Sequence, residues 1–286
     1  MVNLILGTAT FGTTYGISNR GLGTDQSVVK EILEFAQGAG ISAFDTAPAY
    51  GSSEELLGSN LDYSLRPRVS SKIPRSKMNS VQDMVASVQA SLRRTKADRL
   101  ETIYLHDQTS LFDTRHAITG LNEIISTGLA ERVGVSVYSL QSILEAKEKF
   151  PLLSAFQIPE NICDRRSKGS LDLEKLASEG NKLIVRSIFL QGLLLMALTD
   201  IPKTLEKARP GVLRLRQFAE LNSISPLDLC MSYGHDIAWA SGLIVGVISV
   251  KQLQEIIESN EILPPNWESE IDILPDAILD PRTWNQ

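Results

Sequence analysis

Short apolar segments alternate with amphipathic helical segments along almost the whole chain, and this alternation limits the fold more than any other feature. Eight of the segments are typical of β-strands. They are NLILGTA, GISAFDTA, RVSSKI, ETIYLHD, RVGVSVY, LSAFQIP, KLIVRSI and GLIVGVIS. Several are continuously apolar or β-branched, which indicates strands covered on both faces. The pattern predicts an α/β protein with a (β/α)8 TIM-barrel fold, and an open doubly wound sheet is the second choice.

The helical segments carry their own boundary signals. The segment TDQSVVKEILEFAQGAG begins with a capping candidate at Thr24 or Asp25 and ends in glycine. In NSVQDMVASVQASLRRT, apolar residues recur at helical spacing from Val81 to Leu92. No linker rich in glycine, serine or proline divides the chain, so residues 1–286 are predicted to form a single domain. Within it, residues 259–286 form a proline-interrupted tail that is expected to wrap around the barrel.

Charge and cysteine content argue against several classes of function. The formal net charge is -6, which disfavours nucleic acid or an anionic membrane surface as a partner. No stretch approaches the roughly 20 apolar residues that span a bilayer, and the first residues do not resemble a signal peptide. Cys163 and Cys230 lack metal-ligand spacing, so we expect two reduced thiols in a cytoplasmic protein without a metal site. The oligomeric state is left open.

Polar residues stand where the predicted strands end. Asp45 ends the second strand, Lys72 the third and His106 the fourth, and Tyr50 lies on the loop after the second strand. Each has an ordinary structural explanation on its own, as a turn cap, a solvated lysine or a structural histidine. In a TIM barrel, however, the carboxyl ends of the strands meet at one mouth, where active sites lie. The four residues together therefore predict one site.

The chemistry of these four side chains is coherent. A buried, charged Lys72 beside Tyr50 would favour the phenolate and make the phenol a stronger acid. Asp45 would keep Lys72 charged, and His106 would orient a carbonyl group through a hydrogen bond. Tyr50 is then predicted to be a general acid that protonates an oxygen as negative charge develops on it.

These residues and the stretches around them resemble the aldo-keto reductase superfamily along nearly the whole chain. FDTAPAYGSSEELLG is similar to the family's second-strand signature, VSSKI to its catalytic-lysine strand and ETIYLHD to its catalytic-histidine strand. The resemblance implies a (β/α)8 barrel with Asp45, Tyr50, Lys72 and His106 as the catalytic tetrad. It also implies hydride transfer from a nicotinamide cofactor to the carbonyl of a small-molecule substrate. NADPH is the expected cofactor, NADH is the alternative, and the family binds either one without a GxGxxG motif.

The cofactor positions of the family match less completely. GTATFG, GVSVYS, FQIPENICDRR, VRSIFLQGLL and VGVISVKQLQEIIES each resemble a family segment. Through them the resemblance assigns cofactor contacts to Thr8, Ser136, Gln157, Arg186, Ser187, Phe189, Gln191, Gly192, Ser249, Lys251 and Gln252. Val137, Glu160 and Ile256 replace residues that are usual in the family. Lys251 is either a contact for the 2′-phosphate of NADPH or a solvated lysine in a first helical turn.

Position 186 departs most from the family pattern, because many relatives place an aromatic residue there against the nicotinamide ring. We expect the guanidinium group of Arg186 to stack in its place and to help hold an anionic or polyhydroxylated substrate. The alternative is an arginine that pairs with a carboxylate at the barrel mouth.

The resemblance leaves three functions open. The first, which the intact tetrad favours, is NADPH-dependent reduction of an aldehyde, ketone or open-chain sugar. The second is a redox-sensing or regulatory protein of the same fold that binds the cofactor. The third is a sugar isomerase or epimerase that retains its cofactor. The sequence does not identify the substrate.

Overall fold

A computed structural model describes residues 2–13, 16–17, 24–109, 116–259 and 262–284. Its centre is a closed barrel of eight strands that pair in chain order. The strands are Asn3–Gly7 (β1), Ala43–Asp45 (β2), Arg68–Ile73 (β3), Leu100–Leu105 (β4), Ala130–Ser136 (β5), Ala155–Pro159 (β6), Lys182–Arg186 (β7) and Gly242–Gly246 (β8). The last strand pairs with the first in parallel, from Asn3 opposite Gly242 to Gly7 opposite Gly246. The predicted (β/α)8 barrel is confirmed, and the closed ring excludes the open sheet.

The strands form where the sequence is apolar on both faces. Every residue of β6 is buried, and in β3 only Arg68 at the start is exposed. This burial is expected when one face of a parallel strand packs inside the barrel and the other against helices. Two strand ends differ by one residue from the prediction, because Lys72 precedes the last residue of β3 and His106 follows the last residue of β4. Both still lie at the carboxyl end of the barrel.

Helices follow the strands and cover the outside of the barrel. They are Ala9–Gly12 (α1), Gln26–Gly38 (α2), Ser53–Asn60 (α3), Val81–Thr95 (α4), Ala117–Ser126 (α5), Leu140–Lys149 (α6), Leu171–Ser178 (α7), Arg209–Leu221 (α8), Pro226–His235 (α9) and Val250–Ile257 (α10). Asp25 occupies the N-cap of α2 without a side-chain cap hydrogen bond. Along α4, Met84 and Val88 are fully buried, as the predicted apolar stripe requires. Among the described helices, none combines the length and the apolar character needed to cross a membrane.

The segment after α10 packs onto the barrel. It contains the short helices Trp267–Glu270 (α11) and Asp276–Leu279 (α12). Buried apolar side chains hold it in place, namely Trp267, Ile271, Leu274, Ile278, Leu279 and Trp284. Positions 260, 261, 285 and 286 of the predicted tail lie outside the described residues. The tail therefore shares the apolar core of the barrel along much of its length.

A buried carboxyl group lies beneath this tail. Glu160, just after β6, accepts hydrogen bonds from the Tyr233 hydroxyl at 2.5 Å and from the Ser167 amide at 3.3 Å. The Tyr233 ring meets the Trp267 ring nearly edge-on, with centroids 5.4 Å apart. Burial is the main reason why the pKa of Glu160 is raised to about 8. The hydrogen bond from Tyr233 lowers this pKa, and the negative charge of Asp164 raises it. Glu160 is therefore protonated at neutral pH.

We expect Glu160→Gln to remove a pH-dependent loss of stability. In the unfolded chain this carboxyl group ionises near pH 4.5, whereas in the folded protein it stays protonated up to about pH 8. Between these values the folded state binds more protons, so its stability falls as the pH rises. From pH 5 to pH 8, wild type should lose about 3 kcal/mol relative to Glu160→Gln in urea unfolding. The exposed Glu179→Gln variant should behave as wild type, and equal pH slopes for wild type and Glu160→Gln would contradict the expectation.

Candidate active site

A cavity of about 740 Å³ opens at the carboxyl ends of the strands. Its wall contains Asp45, Tyr50, Lys72 and His106, the four residues predicted to act together. Residues of other strands complete the ring, namely Gly7, Ser136, Arg186 and Gly246 at strand ends and Gln157 in the middle of β6. The volume lies within the range of cavities that enclose small organic ligands. We call Asp45, Tyr50, Lys72 and His106 the polar cluster.

Asp45 binds the largest number of partners in the polar cluster. Its Oδ2 accepts a hydrogen bond from Lys72 Nζ at 2.6 Å, and its Oδ1 accepts one from Gln157 Nε2 at 2.5 Å. Its main-chain oxygen accepts a bond from the Thr8 hydroxyl at 3.1 Å. Asp45 and Lys72 are only 4% and 3% exposed, so bulk water solvates neither charge. Each charge therefore depends on the other for its stability.

The Lys72 ammonium group lies between this carboxylate and an aromatic ring. Its Nζ is 5.1 Å from the centroid of the Tyr50 ring, and it donates a second hydrogen bond to the Thr46 carbonyl oxygen at 3.0 Å. Burial opposes the charge, but Asp45 and Tyr50 outweigh burial and hold the pKa of Lys72 above its usual value. Lys72 is therefore a fixed positive charge at neutral pH.

His106 lies beside Tyr50. The two rings meet edge to face, with centroids 6.2 Å apart and an interplanar angle of 89°. Burial, and after it the positive charge of Lys72, lower the pKa of His106 to about 4. The imidazole is neutral at pH 7, so one of its ring nitrogens carries a proton and is a hydrogen-bond donor. It can bind a carbonyl oxygen without adding a positive charge beside Lys72.

Close backbone packing holds the loop that carries Tyr50. Gly51 adopts a φ of +59°, and a Cβ on Gly12 would overlap the Tyr50 carbonyl oxygen. The Ser53 hydroxyl, one turn later, lies 2.6 Å from the Thr8 carbonyl oxygen and 2.7 Å from the Thr8 hydroxyl. The loop is thus fixed against the segment that follows β1.

A buried carboxylate anchors the helix that follows this loop. Glu54, at the start of α3, accepts hydrogen bonds from the Ser71 hydroxyl at 2.6 Å and from Arg94 Nε at 2.7 Å. These bonds connect α3 to β3, which carries Lys72, and to α4. The Tyr50 loop is therefore anchored on both sides.

We expect Gly12→Ala to lower kcat by about 100-fold for any reaction in which Tyr50 takes part, because the methyl group displaces the Tyr50 loop and a shift of about 1 Å at a reacting group costs that much. Gly38→Ala is the matched control, since a Cβ on Gly38 meets open space. Steady-state kinetics and circular dichroism of both variants check the expectation. A Gly12→Ala enzyme with wild-type kcat would show that the close contact does not position Tyr50.

Most residues that the family resemblance assigned to the cofactor lie in the same wall. They are Thr8, Ser136, Gln157, Arg186, Ser187, Phe189, Gln191, Gly192 and Gln252. The Thr8 hydroxyl and the Gln157 side-chain amide already have a partner within the protein, because both bind Asp45. Ser249 and Lys251 do not belong to the wall.

The geometry of α10 explains this difference. Ser249 is its N-cap, and the Ser249 hydroxyl accepts a hydrogen bond from the main-chain N–H of Gln252 at 3.2 Å. Gln252, Glu255 and Ile256 line the cavity, and their spacing places them on one face of the helix. Lys251 is offset from Gln252 by about 100° around the helix. Its side chain is 85% exposed, and its Nζ lies 3.7 Å from Glu255 Oε1.

Several polar atoms around the cavity lack a hydrogen-bond partner among the residues that the structure describes. Gln191 Oε1, Arg186 Nε and Arg216 Nε are buried without one, and all three residues line the cavity. Gln191 and Gly192 also have left-handed backbone conformations, with φ of 55° and 90°. An amide oxygen suits the amide and hydroxyl donors of a nicotinamide dinucleotide, and guanidinium groups suit its phosphates. The donor set therefore fits such a cofactor.

The cavity wall includes polar residues that the sequence patterns did not indicate, namely Tyr138, Arg216, Glu255 and Arg282. Glu255 follows Gln252 by three residues on α10, so helical periodicity alone could have identified it. Arg282 lies in the tail, for which the sequence offers no periodic pattern.

Arg186 lies against an aromatic side chain of the protein itself. Its guanidinium carbon lies 4.3 Å from the centroid of the Tyr138 ring, and its Nη2 donates to the Val137 carbonyl oxygen at 3.1 Å. It forms no ion pair with a carboxylate of the described part of the chain, so the expected alternative of a carboxylate partner is not observed there. Stacking on a nicotinamide ring stays a prediction.

Comparisons with known proteins give the family. The Aldo/keto reductase family model matches residues 3–273. Aldo-keto reductase YhdN of Bacillus subtilis is 28% identical over 172 residues, which are 56% of this chain and 50% of the relative. A probable voltage-gated potassium channel subunit beta of Oryza sativa is 29% identical over 134 residues, 43% of this chain and 41% of the relative. This chain therefore matches half or less of the length of these two relatives.

A solved structure supports the fold over a longer range. The aldo-keto reductase AKR11C1 of Bacillus halodurans, in its holo form, superposes with a TM-score of 0.77 at 18% identity, covering 97% of this chain and 95% of that chain. At this identity the likeness shows the barrel fold alone. The family model, in contrast, spans every strand of the barrel and the whole polar cluster, and on that ground the chain belongs to the aldo/keto reductase family.

Proposed function

We propose that this protein is an NAD(P)H-dependent reductase that converts the carbonyl group of an aldehyde, ketone or open-chain sugar to an alcohol. The observation that carries the proposal is the buried Lys72 ammonium group, which is bonded to Asp45 at 2.6 Å and lies 5.1 Å from the Tyr50 ring. A fold does not need a buried ion pair beside a phenol at the mouth of a cavity, and such a pair costs free energy of desolvation. The arrangement suits proton donation to a reacting oxygen.

In the proposed mechanism, the nicotinamide cofactor supplies the hydride, and the polar cluster supplies the proton. Tyr50 donates its phenolic proton to the carbonyl oxygen as negative charge develops there. Lys72 stabilises the phenolate that remains, and Asp45 keeps Lys72 charged within the protein. The neutral His106 donates a hydrogen bond that orients the carbonyl group. Ser136, Ser187, Gln191 and Gln252 would hold the cofactor along the cavity wall.

We propose NADPH as the preferred cofactor, following the family resemblance. The buried Arg216 Nε, which has no hydrogen-bond partner among the described residues, supports an anionic cofactor of either kind. The 85% exposed side chain of Lys251 is free to rotate towards a 2′-phosphate, since its one ion pair is long and solvated. Parallel measurements of KM for NADPH and NADH test this preference, and a lower KM for NADH would overturn it.

The direct test of the function is a screen of carbonyl compounds with each reduced cofactor. Short aldehydes, activated aromatic aldehydes, ketones and open-chain sugars are incubated with the full chain, and oxidation of the cofactor is followed by absorbance. We expect turnover with at least one class. Tight cofactor binding without turnover across the panel would refute the proposed reductase.

That negative outcome would favour a second candidate, a regulatory protein that binds the cofactor and senses its redox state. The observation in its favour is the segment of 134 residues shared with a relative named as a probable potassium channel subunit beta. The intact polar cluster favours the reductase instead, because sensing alone requires no proton donor.

A further inference from the structure

Two guanidinium groups enclose one aromatic ring at the mouth of the cavity. The Arg186 guanidinium carbon, at the end of β7, lies 4.3 Å from the centroid of the Tyr138 ring. The Arg282 guanidinium carbon, from the tail, lies 3.5 Å from the same centroid. All three residues line the cavity that contains the polar cluster. We call Arg186, Tyr138 and Arg282 the Tyr138 stack.

The stack leaves positive charge without a matching carboxylate. Arg282 is neutralised by Asp280, which it contacts at 2.6 Å through Nη2. Arg186 has no such partner in the described part of the chain, and its buried Nε has no hydrogen-bond acceptor. Lys72 and Asp45 cancel each other. Within the stack, Arg186 is therefore the guanidinium group that has no carboxylate at ion-pair distance among the described residues, although Asp107 also acts on Arg282 and on His106.

Arg186 is also electrostatically coupled to the polar cluster. Its charge is one of the causes that lower the pKa of His106, so its field reaches the group assigned to the carbonyl oxygen. Its charge also acts on Asp280 in the tail. His106 and the stack line the same cavity, so a substrate bound at His106 can extend towards the stack.

We propose that the Tyr138 stack is a substrate subsite for an anionic group, so that the enzyme prefers carbonyl compounds that carry a carboxylate or a phosphate. The inference rests on the proposed reductase function. A guanidinium group is a planar donor fork that matches such anions. Stacking on Tyr138 holds the forks in place before the substrate arrives, which reduces the entropy cost of binding.

The competing explanation is structural, with Arg282 and Tyr138 only fixing the tail. The two explanations differ in what a change at the stack affects. A structural contact affects stability and all substrates alike, whereas an anion subsite affects KM for charged substrates only. A pair of substrates that differ mainly in charge therefore separates them.

The test compares 4-carboxybenzaldehyde with its neutral methyl ester, using the full chain and saturating cofactor. For wild type we expect kcat/KM to be about tenfold higher for the acid than for the ester, which corresponds to about 1.4 kcal/mol. Arg282→Gln should abolish this preference by raising KM for the acid, because Asp280 then faces the subsite alone. The ester should keep its wild-type kcat/KM.

A second variant should have the opposite effect. Asp280→Asn keeps a side chain able to cap the Arg282 amide, which Asp280 now bonds at 3.1 Å, but it removes the charge that competes for Arg282. We expect this variant to lower KM for the acid by about 3-fold or more and to leave KM for the ester unchanged. Arg99→Gln is the matched control, since Arg99 is an exposed, ion-paired arginine outside the cavity wall.

Equal kcat/KM for acid and ester in wild type, or equal losses for both in Arg282→Gln, would overturn the subsite while leaving the reductase intact. Turnover of neither compound would count against the proposed function instead. In that event calorimetry of the cofactor-loaded protein still decides the inference, because the subsite requires the acid to bind tighter than the ester and Arg282→Gln to remove the difference.

Discussion

Tyr50→Phe should lower kcat for carbonyl reduction by about a thousandfold, the size of effect expected when a general acid is removed. The phenylalanine ring keeps the contact with His106 and the position 5.1 Å from Lys72 Nζ, so only the proton donor is lost. Affinity for the cofactor should stay within about 2-fold of wild type, because no cofactor-binding group changes. Single-turnover reduction and fluorescence titration of the cofactor measure the two effects separately.

Tyr63→Phe is the matched control for this experiment. Its hydroxyl bonds the Thr95 carbonyl oxygen, and Tyr63 does not line the cavity. This variant should lose some stability and no activity. Near-wild-type turnover by Tyr50→Phe would assign proton donation to another group, and His106 would be the next candidate.

Lys72→Met should have a comparable effect on activity and a large effect on stability. Without the ammonium group, Asp45 is a buried carboxylate with one remaining side-chain partner, the Gln157 amide at 2.5 Å. Removing one member of a buried pair typically costs about 3–5 kcal/mol. We expect a loss of that size in urea unfolding, together with a fall in kcat of about a thousandfold, since the phenolate loses its counter-charge.

The double variant Asp45→Asn/Lys72→Met separates the two roles of the pair. It removes both charges, so most of the stability should return while the activity stays low. This variant also keeps the experiment informative should Lys72→Met fail to fold. Recovery of activity in the double variant would show that Lys72 serves only to neutralise Asp45.

The polar cluster could be predicted from the sequence because all strands of a closed parallel barrel end at the same mouth. Asp45, Lys72 and His106 each stand at or next to the carboxyl end of a strand, and the carboxyl ends of barrel strands share one mouth. No knowledge of side-chain contacts is needed for that inference. The two strand-end errors, each of one residue, leave the side chains at the same mouth.

Contacts across the barrel could not be predicted in the same way. Gln157 donates to Asp45 over a separation of 112 residues, and that bond depends on the rotamers inside the closed ring. The family resemblance instead assigned Gln157 to the cofactor. The exposed position of Lys251 follows from where α10 begins, and helix starts are the least certain feature of a sequence pattern.

The tail is the part of the site that sequence patterns describe least. Its proline residues and short helices give no regular period, so nothing indicated that Arg282 reaches Tyr138. Buried apolar residues fix its course, among them Ile278 and Trp284. The path of the tail therefore depends on how these side chains pack against the folded barrel, which a sequence pattern does not show.

The path of the tail has a consequence for how this enzyme can be engineered. The proposed proton donor and its partners belong to the first half of the chain, on or beside β2, β3 and β4, whereas Arg282 belongs to a terminal segment outside the barrel. A combinatorial library limited to positions 280–283 would therefore diversify the cavity entrance while every strand stayed intact. Exchange of this short segment between homologues would serve the same purpose. Natural lineages would have the same route to new preferences, because substitutions in a few codons of this segment would change the cavity entrance without altering the polar cluster.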